Sequence, residues 1–285
     1  MTDPECVSFL QWALPQMRMR WAGFRRIRRR VCKRIAQRLR ELQLPDTAAY
    51  QAYLQSHAEE WLKLDVICRV SISRFYRDRQ VFRMLEQEVL PQLASGALAR
   101  HEPPLRIWSA GCASGEEPYT LALLWRLVLR QRFPGLAQQI LATDVDPLLL
   151  RRAQRACYPF SSIKNLPPSW REQAFEERAG EYCLRPAFRQ GVTFQCHDVR
   201  NGVPDGPFHL VLCRNLVFTY FAPALQKKIA GQIVAAMHPG GVLVLGVHEK
   251  LPELDQAMEA WSSRLGIYRK PACPGPLLDK APAEG

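Results

Sequence analysis

The chain has 285 residues, 47% hydrophobic and 23% charged, enough for one large soluble domain or two smaller ones. No apolar run approaches the roughly eighteen residues of a membrane span. The amino-terminal stretch MTDPECVSFLQWALPQ lacks the basic leader and long apolar core of a secretory signal. A formal charge of +12 points to an acidic partner: nucleic acid, an anionic membrane or an acidic protein surface. Nine cysteines are scattered singly, with no CxxC or HxxxH pair. That pattern argues against a disulfide framework and against zinc, so no metal is expected. The thiols read as reduced, in a cytoplasmic protein, with Cys196 and Cys213 inside apolar runs as small core residues.

In chain order, the first distinctive element is FRRIRRRVCKRIAQRLR (24–40), with nine Arg or Lys and no acid. Phe24, Ile27, Val31, Ile35 and Leu39 recur at steps of three and four, which predicts a helix with one apolar stripe and a basic remainder. So pure a run repels itself unless it meets an anion, which is the argument for a docking role over a merely solvated face. Helical periodicity continues over 47–64 and 80–93. ASGALARHEPP (94–104) reads as a linker after an all-helical domain, 1–93.

Beyond it, 105–270, the pattern changes. Short apolar runs at 105–110, 138–144, 192–198, 208–213 and 242–246 alternate with helical stretches at 117–132, 147–156 and 222–238. Strand and helix in alternation predict an α/β fold, a mostly parallel sheet with helices on both faces. The proline-rich end, 271–285, is expected to be disordered.

Ligands of such sheets bind beyond the carboxyl ends of the strands. After the first predicted strand stands GCASGEEPY (111–119), whose small residues permit a tight turn and close backbone approach to a ligand. It lacks the Lys-Ser/Thr of a phosphate loop and the full dinucleotide fingerprint. The second strand ends in Asp144, placed to accept ribose hydroxyls, while Asp146 before Pro147 fits a helix cap. Two carboxylates at the loop, Glu116 and Glu117, suit a ligand with a sulfonium and an ammonium group and no phosphate, as in S-adenosylmethionine. Glu116 serves equally well as a first-turn residue favoured by the helix dipole.

These segments carry a family resemblance. WSAGCASGEEPYTLA, LATDVDPLLLRRAQRACY, FHLVLCRNLVFTYFAPALQKKI and HPGGVLVLGVHE resemble the successive motifs of CheR-type chemoreceptor methyltransferases. RRVCKRIAQRLRELQLPDTAAYQAYL resembles their helical N-terminal domain, and ISRFYRD their T-x-F-F-R-D/E signature, so the similarity spans about 20–270. The resemblance implies a Rossmann-like class I methyltransferase sheet that uses S-adenosylmethionine and releases S-adenosylhomocysteine. It implies cofactor contacts at Ser71, Ser73, Arg77, Gly111, Glu117, Asp144, Asp198, Val199, Arg214 and Asn215, with Arg77 and Tyr220 flanking methyl transfer. The implied substrate is a glutamate side chain of an acidic helical signalling protein such as a chemoreceptor cytoplasmic region. Arg25, Arg26, Arg29, Arg30, Lys33 and Arg38 of the basic run would dock it.

The sequence departs from the family in three places. Ser71 and Ser73 stand for the usual Asn and Thr, and Gly246-Val247-His248-Glu249 for G-x-S-E. CRNLVFTYF has one residue more before its tyrosine than CRN-x-x-x-YF, and the surplus is expected as a bulge that displaces Tyr220. Two other readings suit the composition: a nucleic-acid methyltransferase, and a non-catalytic S-adenosylmethionine-binding signalling module. The first would carry prolines where CRNLVFTY stands, so no stable nucleic-acid complex is expected. A monomer without membrane insertion completes the expectation.

Overall fold

Side chains alternate between the two faces of the central strands, and that alternation sets the layers. In a computed structural model describing residues 1–102, 104–254 and 258–272, strand β1 (Leu105–Ala110) sends Leu105 and Ile107 into one core and Trp108 and Ala110 into another. Six more strands join it: β2 (Gln138–Asp144), β6 (Val192–Cys196), β7 (Phe208–Cys213), β8 (Met237–Leu245), β9 (Glu259–Ser262) and β10 (Ile267–Arg269). The short β3 (Cys157–Tyr158), β4 (Phe175–Arg178) and β5 (Glu181–Leu184) form a separate antiparallel sheet.

The large sheet has the order β6-β2-β1-β7-β8-β10-β9. The first five strands are parallel, and β10 runs antiparallel to both its neighbours. Strand addition reverses direction between β1 and β7, which creates the topological crevice where open α/β sheets bind ligands. This is a doubly wound α/β arrangement, a mostly parallel sheet with helices on both faces.

Helices α1 (Asp3–Gln16), α2 (Trp21–Phe24), α3 (Arg28–Glu41), α4 (Thr47–Ser56) and α5 (Glu60–Cys68) pack together over one face of the sheet. Their core is continuous with Trp108, Val211 and Leu243 of that face. On the other face lie α6 (Arg79–Met84), a π-helical turn (Leu85–Val89), α7 (Leu90–Ala99) and α8 (Glu116–Leu124), which continues as a second π segment, Trp125–Leu129. After β2 come α9 (Pro147–Arg155), α10 (Phe160–Ile163) and α11 (Pro168–Ala174); α12 (Val217–Tyr220) and α13 (Pro223–Ala235) join β7 to β8.

The apolar stripe of the basic run is inward as patterned: Phe24, Val31, Ile35 and Leu39 are all buried. The run is not one helix, however, because 25–27 leaves the helix between α2 and α3. The stretch 47–64 likewise breaks at 57–59, and 80–93 extends to Ala99, so 94–99 of the expected linker is helical. Moreover, α6 and α7 pack with β1 and α8 rather than with the preceding helices. The small β3-β5-β4 sheet has no counterpart in the sequence pattern. Residues 273–285 of the expected disordered tail, including Cys273, lie outside the described residues.

The cysteine reading needs correction. Cys6–Cys32 joins α1 to α3, and Cys157–Cys183 joins β3 to β5. Both pairs are 26 residues apart in sequence, and helix packing or strand pairing brings them together, so no local spacing marks them. Cys68, Cys112 and Cys213 are buried free thiols, whereas Cys196, expected in the core, is exposed on the edge strand β6.

His209 on β7 is 1% exposed, and its Nδ1 accepts the Arg106 backbone N–H at 3.0 Å. Burial, reinforced by neighbouring His238, depresses its pKa to about 4 from the ordinary 6.5. Between those values the unfolded chain binds a proton that the folded one refuses, so stability falls as pH drops from about 6.5 toward 4. His209→Asn, which keeps an acceptor, is expected to shrink the loss of urea midpoint between pH 7.5 and 5.5. An undiminished loss would place its origin elsewhere.

Candidate active site

At the crevice, a cavity of about 720 Å³ opens over the carboxyl ends of β6, β2, β1 and β7. Ser71, Ser73, Arg77, Gly111, Glu117, Asp144, Asp198, Val199, Arg214, Asn215 and Tyr220 all line it. Residues named separately from the sequence thus meet in one space. Three interstrand steps of about 4.8 Å give this row a breadth of about 14 Å.

The loop after β1 is shaped by glycine. Gly111 has φ +74°, and a Cβ there would come within 2.7 Å of Leu216 Cδ2. Gly115, at φ +89°, caps α8 where a Cβ would meet that of Ala153 at 2.9 Å. The turn between them aims the two glutamates apart. Glu116 is buried beneath the loop, accepting from Ser114 Oγ at 3.1 and 3.0 Å, and does not line the cavity. Glu117 does line it, accepting from Ser109 Oγ at 2.8 Å and Arg214 Nη1 at 2.9 Å.

Arg214, with a side chain only 2% exposed, completes the cluster by donating through Nη2 to Asp78 Oδ2 at 2.5 Å and to the Arg77 carbonyl at 3.3 Å. Two carboxylates around one guanidinium leave a net charge of −1, suited to an ammonium group. Asp78 therefore serves Arg214 rather than its sequence neighbour. Arg77 donates instead to the Ile72 carbonyl at 2.6 Å, closing the 72–77 loop at the cavity wall. Tyr76 and Asp78 both hold positive φ, at 57° and 61°, a sparsely populated conformation that tertiary contacts must enforce.

Asp144 accepts from the Ala113 and Asp146 backbone N–H groups, each at 2.9 Å. Burial raises its pKa, against the lowering pull of those two hydrogen bonds. Its oxygens retain lone pairs for ligand hydroxyls. Asp146 caps α9 as patterned, accepting from Leu148 N at 2.8 Å.

Asp198 is gripped by Arg200, whose Nη2 lies 2.6 Å from Oδ2. The same guanidinium reaches Asp65 of α5 at 2.8 and 3.0 Å, and Arg69 adds a second partner to Asp65. Burial pushes both carboxyls up, but the arginines more than offset it and hold both below the usual range.

Across the crevice, Asn215 adopts φ +57°, and its N–H donates to Glu249 Oε2 at 2.8 Å. Glu249, 7% exposed, also accepts from Gly246 N at 2.6 Å and Thr219 Oγ1 at 2.5 Å. Within CRNLVFTYF, Val217–Tyr220 form a single turn of helix, α12. Arg20 caps that turn, donating to the carbonyls of Phe218, Thr219 and Tyr220. Gly23 presses on it so closely that a Cβ would lie 2.3 Å from the Thr219 oxygen. Tyr220 thereby reaches the cavity with its ring 5.2 Å from Phe24, and burial raises its hydroxyl pKa against the opposing charge of Arg77.

Of the docking set, Arg25, Arg26, Arg29, Arg30 and Lys33 are exposed. Arg38 is turned inward, donating to Glu60 at 2.9 and 2.7 Å and to Glu41 at 3.1 Å. Sequence reasoning passed over Arg20, Asp65 and Arg200 as supports of the site, whereas Asp78, ending ISRFYRD, and Glu249, ending HPGGVLVLGVHE, carried a local signal.

Residues 71–267 match the family model described as CheR methyltransferase, SAM binding domain. The chain belongs to this family. Its S-adenosylmethionine-binding domain is the α/β unit around the crevice, and the donor set fits that cofactor: uncompensated acid beside Glu117, a hydroxyl acceptor at Asp144 and a loop with no room for a Cβ at Gly111. Chemotaxis protein methyltransferase 2 of Vibrio cholerae is 32% identical over 252 residues, 84% of each chain. The chemotaxis protein methyltransferase of Listeria monocytogenes is 33% identical over 182 residues, 64% of this chain and 66% of that one. An uncharacterized 104.1 kDa protein of Rhodobacter capsulatus is 32% identical over 88% of this chain, which spans only 26% of it. The chain thus covers just under two thirds of the Listeria relative and about a quarter of the Rhodobacter one.

Glu117→Gln is expected to weaken S-adenosylhomocysteine binding about tenfold and to cost about 2–3 kcal/mol of stability, because Arg214 stays buried with one carboxylate fewer. Asp78→Asn removes the same charge from Arg214 outside the cavity lining, so it should lower stability with a much smaller effect on affinity. Calorimetric titration and urea denaturation of both variants check the pair, and equal losses of affinity would remove Glu117 from the cofactor.

Proposed function

We propose that the protein transfers the methyl group of S-adenosylmethionine to glutamate side chains of an acidic helical signalling protein, such as the cytoplasmic region of a chemoreceptor. The observation that carries this reading is the meeting of Arg77 and Tyr220 with the cofactor row in one cavity, whose wall extends to Arg34, Gln37 and Arg38 of α3. In this reading the cofactor and transfer residues adjoin the inner side of the basic helix, which supports it.

The chemistry needs little acid–base help. A glutamate carboxylate, with an ordinary pKa of about 4.3, is already ionised at neutral pH. Methyl transfer from a sulfonium is an in-line displacement: a carboxylate oxygen attacks the methyl carbon and the C–S electron pair leaves with sulfur as S-adenosylhomocysteine. The protein contributes alignment and exclusion of water. Arg77, its guanidinium already committed in part to Ile72, orients the incoming carboxylate without clamping both oxygens. Tyr220, kept neutral, offers a hydroxyl at the same wall.

Outside the cavity, Arg25, Arg26, Arg29, Arg30 and Lys33 provide five exposed positive charges for an acidic helix. Incubation with methyl-labelled S-adenosylmethionine and bacterial membrane fractions should yield protein-bound label released by mild base, as from a carboxyl ester. Label stable to base on RNA would overturn the reading. Arg77→Ala should bind S-adenosylhomocysteine nearly normally while transfer falls roughly a hundredfold; unchanged transfer would exclude Arg77 from the step. Reversing Arg26, Arg29 and Arg30 to Glu should raise KM for the acidic substrate and flatten its salt dependence, leaving kcat in place. A KM that does not move would detach α3 from docking.

A further inference from the structure

The π-helical segment Trp125–Leu129 leads into a turn before β2, and a cleft of about 930 Å³ opens there, beside Gln138 at the opposite end of β2 from Asp144. Two arginines and four glutamine amides line it, with no carboxylate among the described lining residues. Arg126 projects from the π segment, a helical irregularity enriched at functional sites. Its Nη2 donates to Gln190 Oε1 at 2.9 Å, and its guanidinium lies 5.9 Å from the Phe188 ring centroid. Nη1 is sealed from solvent yet has no hydrogen-bond partner, and the same holds for Nε2 of Gln138.

Arg126 and Gln138 both line the cleft, and a buried donor left unpaired is costly. Gln190 is oriented by its bond to Arg126: because its oxygen accepts, its amide N–H groups remain as donors. Arg130, exposed on the rim, adds a second positive charge with no counter-ion in the lining. Burial and this neighbouring charge both disfavour the Arg126 cation. Such an arrangement is stabilised by an anion that accepts several hydrogen bonds at once. A carboxylate offers two oxygens in one plane, whereas a phosphate offers three around a tetrahedron and carries close to the two charges that Arg126 and Arg130 would balance. Phe133 and Phe188 supply aromatic walls for whatever the phosphate bears.

We propose that this cleft binds a phosphate-bearing small molecule through Arg126 and Arg130, with Gln138 and Gln190 as neutral donors. The site is separate from the cofactor cavity, with which it shares no lining residue. The test is calorimetric titration of the full chain with inorganic pyrophosphate and with AMP, in low-salt buffer free of phosphate and with S-adenosylhomocysteine saturating the other cavity. Saturable one-to-one binding is expected. It should weaken about tenfold in Arg126→Gln and in Arg130→Gln, and measurably in Arg126→Lys, which keeps the charge but loses the planar fork. Tighter binding of AMP than of pyrophosphate would identify a nucleotide as the source, and the reverse a bare phosphate. Absence of saturable binding by either probe, or undiminished binding in the exposed-site variant Arg130→Gln and in Arg126→Gln, overturns the proposal.

Discussion

A guanidinium buried at the end of β7 governs the arrangement. Arg214 stands where strand order reverses, and its charge cannot remain there without partners. One partner, Glu117, comes from the first turn of α8; the other, Asp78, comes from the loop entering α6. Satisfying one cation therefore draws together three segments from distant parts of the sequence. It also fixes the 71–78 loop over the crevice, because Asp78 and the Arg77 carbonyl bind the same Nη2. The positive φ of Tyr76 and Asp78 is the conformational cost of that closure.

The helices preceding this loop are tied to the crevice at two further points. Arg200 spans Asp198 at the cavity and Asp65 on α5, so the position of one side of the site depends on helical packing. On the opposite side, Arg20 and Gly23 hold the α12 turn that presents Tyr220. A shared apolar core makes the same connection without charges. The amino-terminal helices are thus part of the site's frame, and α7 (Leu90–Ala99), packed on the sheet with α6, runs through residue 93.

What could be read in advance was whatever local physics determines. Short apolar runs identified the five parallel strands, a three-four stripe identified the buried face of 24–40, and Asp146 before Pro147 announced its own cap. The residues that line the cavity were legible because most of them sit within recognisable motifs. The supports were not: Arg200 bonds across 135 residues to Asp65, and Arg20 across 198 to Phe218, and no periodicity encodes such pairs. The cystine pairs and the β3-β5-β4 sheet were hidden for the same reason. The break at 25–27 escaped because hydrophobic spacing continues through it while the backbone does not.

Charge is distributed by task, and this accounts for an acidic pocket inside a protein of net charge +12. S-adenosylmethionine carries one net positive charge, and in the proposed reading it would meet Asp144 and the uncompensated acid of the Glu117–Arg214–Asp78 cluster. A carboxylate substrate would be repelled by the same groups if they were its first encounter. The exposed arginines of α3, whose inner residues reach the cavity wall, oppose that repulsion at longer range. Arg77, on the cavity wall, donates to the neutral Ile72 carbonyl, and in the proposed reading it would meet the incoming carboxylate. Glu116 shows the complementary economy: one residue from Glu117, it turns inward to brace the loop and adds no further acid to the cavity.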